Sequence, residues 1–374
     1  MHHRRTGRTP LLGASVTVVA GGVLLSACGL GTADDAPSPS RTVNSKIECA
    51  PQGQLAASGS SAQQNAMNHW MREYQQACPG VQIRYVPIGS GGGVAQFLRG
   101  ATALGGTDSA LKPEEVEASR EVCQGGGRAI DLPMVGGPIA IGYNISGVDD
   151  LVLDAATLAK IFDSEITKWN APDIQRLNPG IRLPATVISA VHRSEESGTT
   201  QNLNAYLAAA APDEWPYEKK KAWQAKGGHS AAGSDGVASA VGTTDGSIGY
   251  FELSFAKAGQ IPTVRLDTGA PKPVAVSAES ASAGIAASEV SGTGNDVTLK
   301  FDYETRAPGA YPIVQVTYEI VCDKGNRAEV LPALKSFLSY TAGPEGQKDL
   351  SRIHYAPLPD EVAAEVRKIV RTLS

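Results

Sequence analysis

Three segments of the chain repeat one local order, in which a strand pattern ends in a turn of glycine, serine or threonine and a helix pattern follows. The turns are Ser58-Gly59-Ser60-Ser61, Gly89-Ser90-Gly91-Gly92-Gly93 and Glu196-Ser197-Gly198-Thr199. Strands and helices that alternate along a chain are typical of a mostly parallel sheet covered by helices. The order therefore predicts an α/β fold.

Each of these turns also lies at a predicted helix N-terminus, where unpaired N–H groups and a partial positive charge favour an anion. Glycine lets the backbone approach a ligand closely, and the serine and threonine hydroxyls add hydrogen-bond donors. One such turn by itself is better explained as an ordinary connection with a helix cap. Three turns in the same context favour an anion-binding site.

The remaining patterns give further expectations about secondary structure. A helix is predicted from about Ser61 to Ala77, and the last helix is predicted to begin at Pro359-Asp360. Residues Ile130–Asn144 are predicted to form two closely spaced apolar strands that cross into a second domain. Gly, Ser and Ala dominate residues 277–294, which are predicted to be loop or weakly patterned surface.

The N-terminus has the features of a targeting segment. A basic start is followed by an apolar stretch from Leu11 to Leu25, and Leu25-Ser26-Ala27-Cys28 resembles a bacterial lipobox. This predicts a signal peptide over residues 1–27, a diacylglyceryl anchor on Cys28 and a flexible tether over residues 28–45. The alternative is an ordinary secretory signal that happens to contain a cysteine. No later run approaches the roughly 20 apolar residues of a membrane span.

Length and charge restrict the function. The 374 residues, 42% of them hydrophobic, are enough for two domains, and the formal net charge is −5. Loss of residues 1–27 removes three of the 33 basic residues and none of the 38 acidic ones, which leaves 30 against 38, or −8. Nucleic acid is excluded as a partner because binding to its backbone needs clustered Lys and Arg.

Four cysteines remain after Cys28: Cys49, Cys78, Cys123 and Cys322. An even number outside the cytoplasm predicts two disulfides, for which three pairings exist. We favour Cys49–Cys78, because a strand start and the end of the following helix lie at the same edge of an α/β unit; Cys123–Cys322 then remains. Metal binding is the weaker interpretation, since the chain has no Cys-x-x-Cys pair and its histidines are scattered.

Two charged residues make the anion site more specific. Arg193 lies four residues before Ser197, just past a predicted strand, and is therefore expected beside the third turn. A guanidinium there can bind an oxyanion through two parallel hydrogen bonds. A surface arginine paired with Glu195 or Glu196 is the alternative. Asp108 follows a predicted strand, and an ionised carboxylate beside an anion only accepts hydrogen bonds. It therefore favours a ligand that carries a proton, as hydrogen phosphates do, unless Asp108 is merely a turn or helix cap.

These segments together resemble the periplasmic phosphate-binding proteins of the phosphate-specific ABC transporter. The matching segments, over nearly all of residues 50–373, are the first two turns with Ile88, Gly106-Thr107-Asp108, Arg193 to Thr199, Lys160-Ile161-Phe162, Trp169-Asn170, Gly246 to Tyr250 and Tyr311-Pro312-Ile313. The lipobox and the four cysteines resemble the actinobacterial branch.

The resemblance implies a two-lobe Venus-flytrap fold with two interdomain crossings, lobe 1 being residues 46–130 and 302–374 and lobe 2 residues 131–301. It implies phosphate ligands at Ser61, Ala62, Ser90, Asp108, Arg193, Ser197, Gly198 and Thr199. Glu195 is expected to hold Arg193 in place. Many family members have Thr-Phe where this chain has Ser61-Ala62, which makes Ala62 a departure from the pattern.

The resemblance implies a monomeric receptor that needs no metal or cofactor and delivers inorganic phosphate to transmembrane permease subunits. A secreted phosphate-ester hydrolase is the alternative from another class. It is disfavoured because Gly-x-Ser-x-Gly is absent and no cluster of His and Asp is evident in the sequence. A receptor for sulfate or molybdate is a third possibility, against which Asp108 argues.

Overall fold

The alternation of strands and helices builds one mixed sheet with helices packed on its faces. The structure is a computed structural model, and it describes residues 46–374. The predicted signal peptide, the anchor Cys28 and the tether up to residue 45 lie outside the described residues. Within residues 46–374, no helix is both long and apolar enough to cross a membrane.

The described residues form twelve strands. They are β1 Gly53–Gly59, β2 Val81–Pro87, β3 Leu104–Thr107, β4 Ala129–Asn144, β5 Val152–Asp154, β6 Ser189–Arg193, β7 His229–Ala231, β8 Ser247–Glu252, β9 Arg265–Asp267, β10 Glu289–Val290, β11 Leu299–Lys300 and β12 Val314–Cys322.

The same residues form twelve α-helices and two short 3₁₀ helices, the latter at Ser119–Glu121 and Leu350–Ile353. The α-helices are α1 Gln64–Ala77, α2 Ser90–Leu98, α3 Pro113–Ala118, α4 Ala155–Phe162, α5 Pro172–Leu177, α6 Gly198–Ala210, α7 Gly233–Thr243, α8 Leu253–Ala258, α9 Ala278–Ala286, α10 Leu331–Thr341, α11 Pro344–Gln347 and α12 Asp360–Thr372.

Eight strands form the main sheet, in the order β2-β1-β3-β12-β4-β8-β6-β7. On one side β1 pairs in parallel with β2 and β3, and on the other side β6 pairs in parallel with β7 and β8. The central pairings of β12 and β4 are antiparallel. The sheet thus consists of two parallel halves, a first half with β1–β3 and a second half with β6–β8, joined through β12 and β4.

Strand β4 connects the two halves. Its first part, Ala129–Pro138, pairs with β12, and its last part, Ile139–Asn144, pairs with β8. The sequence pattern was wrong here in one respect, because a single strand of 16 residues replaces the two predicted strands. The register with β12 shifts at Thr317/Tyr318, and that irregularity lets the strand continue through its proline and glycines.

This arrangement is the two-lobe α/β architecture that the sequence predicts. The chain passes from the first half to the second along β4 and returns before β12. The lobe boundaries at 130/131 and 301/302 stay a prediction.

Helix α9 corrects the expectation that residues 277–294 are loop. The Ser277 hydroxyl accepts the N–H of Ser280 at 3.0 Å, and the Ser280 hydroxyl accepts the N–H of Ser277 at 2.9 Å. This capping box starts the helix, and Ala281 and Ile285 are fully buried on its inner face. Small residues made the segment look unpatterned, although small residues are what this closely packed helix needs.

Both disulfides join the predicted cysteines. Cys49 pairs with Cys78, and Cys123 pairs with Cys322 across 199 residues of sequence. The first bond ties the entry of β1 to the end of α1. The second ties the end of β12 to the segment just before β4.

Candidate anion-binding site

The three glycine-rich turns meet where the two halves of the sheet face each other. The Gly198 N–H, from the second half, donates to the Ser90 hydroxyl of the first half at 3.0 Å. Nη2 of Arg193 donates to the Ser61 hydroxyl at 2.8 Å. These four residues are buried, so the turns enclose a site that excludes solvent.

Glycine is required at two positions of this site. Gly89 precedes α2 with φ of 85°, a backbone conformation that other residues rarely adopt. At Gly198, an added Cβ would lie 2.6 Å from the Cβ of Asp108 and 2.7 Å from the Ser90 hydroxyl. Only glycine therefore lets the N-terminus of α6 approach Asp108 this closely.

Asp108 lies at the centre of the hydroxyl cluster and is 2% exposed. Its Oδ2 accepts hydrogen bonds from Ser60 at 2.7 Å, Ser90 at 3.3 Å and Thr199 at 3.4 Å. Its Oδ1 accepts from Thr317 at 2.7 Å.

Burial raises the pKa of Asp108, while the hydroxyl donors and the charge of Arg193 oppose that rise. The hydrogen bonds to the carboxylate thus favour the ionised form, which can accept a hydrogen bond from a ligand but cannot donate one.

Arg193 ends β6 and supplies the positive charge of the site, with its side chain 1% exposed. Its Nε donates to Oε1 of Glu195 at 2.8 Å, and its Nη1 lies 3.5 Å from the Ser234 hydroxyl. Glu195 also accepts the N–H of Gly233 at 3.1 Å. Burial alone would raise the pKa of Glu195, but its contacts with Arg193 outweigh burial and lower that pKa. The ion pair holds the guanidinium against Ser61.

The first turn differs from the predicted helix start. Helix α1 begins at Gln64, and Ser61 and Ala62 form a turn ahead of it. The Ala62 N–H donates to the Ser60 hydroxyl at 3.1 Å, which fixes the turn before the helix begins. Ala62 is fully buried.

Ser197 is the N-cap of α6. Its hydroxyl accepts the N–H of Thr200 at 3.3 Å, and its own N–H donates to the carbonyl of Lys221 at 3.0 Å. Of the eight predicted ligands, five thus lie around the other two, Asp108 and Arg193, while the Ser197 side chain caps α6. All eight remain predictions as ligands.

Three residues of the site were missed in the sequence. Ser60 belongs to the first turn, and its hydroxyl contacts Asp108. Ser234 follows Gly233 at the start of α7, and its N–H donates to the Ser61 hydroxyl at 2.9 Å. That segment has the same strand-turn-helix order as the other turns, which is the signal that would have found it. Thr317 lies inside β12 and has no local signal.

Two further carboxyl groups are buried near Asp108. Glu319 lies on β12 two residues beyond Thr317 and is 1% exposed, and Glu252 ends β8 with no exposure. Burial is the main cause that raises the pKa of each group to about 8, and the charge of Asp108 raises both pKa values further. Below pH 8 these side chains are largely neutral acids, so they add little negative charge to the site.

The histidine beside the site is engaged elsewhere. The His192 ring stacks on Trp223 with ring centroids 4.9 Å apart, and its Nδ1 lies 3.0 Å from the carbonyl of Arg193. Across residues 46–374, no group of three or more His, Cys, Asp or Glu side chains could hold a metal ion.

Comparison with known proteins identifies the family. Residues 44–345 match the model of the PBP superfamily domain. The chain is 42% identical to phosphate-binding protein PstS 3 of Mycobacterium leprae over 93% of its length and 95% of the relative. It is also 42% identical to PstS 3 of Mycobacterium tuberculosis, over 97% of its length and 98% of the relative. The chain belongs to the PstS family within the PBP superfamily.

A PstS-family member is expected to share the fold of distant relatives, and it does. The crystal structure of a phosphate-binding protein from Stenotrophomonas maltophilia superposes with a TM-score of 0.64 at 19% identity, over 84% of this chain and 93% of that one. The two-lobe periplasmic-binding-protein fold predicted from the resemblance is confirmed.

Proposed function

We propose that this protein captures inorganic phosphate between its two lobes and delivers it to the permease of a phosphate ABC transporter. The observation that carries the proposal is the enclosure of one guanidinium and one carboxylate among neutral hydroxyl and N–H donors. Arg193 supplies charge, while Asp108 accepts hydrogen bonds from Ser60, Thr199 and Thr317. The similarity to phosphate-binding proteins of the PstS family supports the same ligand.

The paired charges suit a ligand that is both an anion and an acid. Arg193 can donate to two oxygens of a tetrahedral anion, and the turn hydroxyls and N–H groups can donate to the others. From a tetrahedral anion, ionised Asp108 can accept a hydrogen bond only if the anion carries a hydroxyl group. Mono- and dihydrogen phosphate have such a P–OH group, and sulfate lacks one at neutral pH. A sulfate oxygen at that position would face a carboxylate in a buried site, which costs free energy.

Binding is proposed to occur without turnover. A serine hydrolase needs a base beside its nucleophile, but the hydroxyl of Ser90 donates to Asp108 and accepts from Gly198, and His192 faces away in its stack with Trp223. The bound, closed form would then be what the permease recognises. In this proposal the mature protein is a monomer outside the cytoplasmic membrane, tethered through Cys28.

The test compares phosphate with sulfate in isothermal titration calorimetry. Wild-type protein should bind phosphate and show no heat with sulfate at neutral pH. Asp108→Asn should bind phosphate more weakly than wild type. It should also bind sulfate, because the amide can donate a hydrogen bond to an unprotonated oxygen. Asp149→Asn, at an exposed aspartate, is the matched control and should behave as wild type. Failure of the wild type to bind phosphate would overturn the proposal; an unchanged phosphate-to-sulfate preference in Asp108→Asn would overturn the role of Asp108.

A further inference from the structure

Lys221 is a buried lysine outside the anion site. It lies in the connection between α6 and β7, on the second half of the sheet, and is 7% exposed. Its ammonium group makes no hydrogen bond among residues 46–374, and Oε1 of Glu115 lies 4.0 Å away. A buried ammonium is costly unless negative charge surrounds it, so its surroundings decide its role.

Glu115 faces Lys221 from the first half of the sheet. It lies in α3, which follows β3 and Asp108 along the chain. Its Oε2 accepts the N–H of Lys112 at 2.8 Å, which fixes the carboxylate at the N-terminus of that helix. Its side chain is 20% exposed. The pair therefore joins two elements on opposite sides of the cleft.

A second acidic group, Asp131, lies near the same ammonium group. Asp131, 1% exposed, accepts the N–H of Leu111 at 2.9 Å, and its own N–H donates to Asp296 at 2.8 Å. Burial and the nearby Asp296 raise the pKa of Asp131 to about 8, although the positive charge of Lys221 opposes that rise. A group with a pKa of about 8 is largely neutral at neutral pH, so Glu115 is the acidic partner whose charge Lys221 compensates.

The backbone couples this cluster to both sides of the anion site. The carbonyl of Lys221 accepts the N–H of Ser197, which caps α6. On the facing side, the carbonyl of Asp108 accepts a hydrogen bond of 2.7 Å from the side-chain amide of Asn202 in α6. Asp108 lies five residues before the start of α3, the helix that contains Glu115. Lys221 and Glu115 are thus both connected through the backbone to the loops around the anion site.

We propose that Lys221 is an interlobe latch: a positioning residue that favours the closed form and raises phosphate affinity without touching phosphate. The proposal rests on the proposed function, because it assumes that phosphate binds as the lobes close. In the open form the ammonium of Lys221 and the carboxylate of Glu115 are separately solvated. In the closed form the buried ammonium and the Glu115 carboxylate compensate each other's charge.

The test measures phosphate affinity and its rate constants for Lys221→Met, which keeps the stem and removes the charge. We expect about tenfold weaker binding of phosphate, which is within the range of typical coupling free energies. The dissociation rate constant should change, and the association rate constant should not. Lys221→Arg should restore most of the affinity. Lys220→Met, which removes an exposed lysine paired with Glu218 in the same loop, is the matched control and should bind as wild type.

Two further measurements separate a latch from a structural role. The unfolding midpoint without phosphate should be the same for Lys221→Met and wild type, because the contact belongs to the closed form. Lys221→Met combined with Glu115→Gln should bind no worse than Lys221→Met alone. Wild-type affinity in Lys221→Met, or a loss of affinity matched by equal destabilisation of the phosphate-free protein, would overturn the latch. Absence of phosphate binding in the wild type would instead overturn the proposed function.

Discussion

The Thr317 hydroxyl donates a hydrogen bond of 2.7 Å to Oδ1 of Asp108, across 209 residues of sequence. Both groups are buried, and β12 pairs with β3 immediately before Asp108. The bond stabilises the ionised carboxylate and orients Oδ2 towards the hydroxyl cluster. It makes the central strand of the sheet part of the anion site.

Thr317→Val keeps the shape of the side chain and removes this donor. We expect phosphate binding to weaken by about 1.5 kcal/mol, since the lost bond is to a charged group. Calorimetric titration at neutral pH checks this expectation. Thr293→Val, at an exposed threonine, should bind as wild type. Equal affinities of Thr317→Val and wild type would show that Asp108 does not depend on this bond.

Arg193→Ala removes the only positive charge that contacts Ser61 in the described structure, and it leaves Glu195 without its cationic partner. Phosphate binding should weaken by about 2–4 kcal/mol, because charge-assisted hydrogen bonds in a buried site are lost. Calorimetry compares the phosphate affinity of this variant with that of Arg182→Ala, a control at an exposed arginine. An affinity near that of the control would exclude Arg193 from the ligand set.

Glu319 predicts a specific dependence of stability on pH. Its pKa rises from an ordinary 4.5 to about 8 in the folded protein, chiefly through burial. The unfolded chain therefore releases this proton at lower pH, and the stability that the neutral acid contributes is complete below pH 4.5 and lost as pH rises to about 8.

Urea unfolding across this pH range is the measurement. In Glu319→Gln, the decline of the unfolding free energy with pH should be shallower than in wild type, by up to about 1.4 kcal/mol per pH unit for one proton. Glu304→Gln, at an exposed glutamate, should keep the wild-type slope. Parallel curves for wild type and Glu319→Gln would contradict the neutral state of Glu319.

The two disulfides should contribute unequally to stability. Cys123–Cys322 closes a loop of 199 residues and Cys49–Cys78 one of 29. Replacing each pair by alanine should cost about 5 and about 4 kcal/mol, because the longer loop restricts the unfolded chain more. Chemical denaturation of the two double variants measures how much unfolding free energy each disulfide contributes. A larger loss for Cys49–Cys78 would mean that native-state contacts, rather than chain entropy, dominate these contributions.

Much of the site could be predicted from local sequence. Ser61, Ser90, Asp108, Arg193 and Thr199 all lie at the end of a strand or the start of a helix, where a short pattern reveals both the backbone geometry and the chemistry. The helix at residues 278–286 and the continuous strand β4 could not be predicted in the same way. Their small residues and internal glycines break the hydrophobic period, and close packing against neighbours stabilises them instead.

The sequence by itself determined the α/β class, the three anion-binding turns and the residues that carry charge, because these depend on neighbours along the chain. Only the tertiary structure decided that Thr317 and Ser234 join the site, that Glu319 is buried beside it, and that Lys221 meets Glu115 across the cleft. Those contacts arise from strand pairing and from the meeting of the two halves of the sheet. No local pattern predicts which distant side chain will face Asp108, because that contact depends on how segments far apart in the sequence pack together.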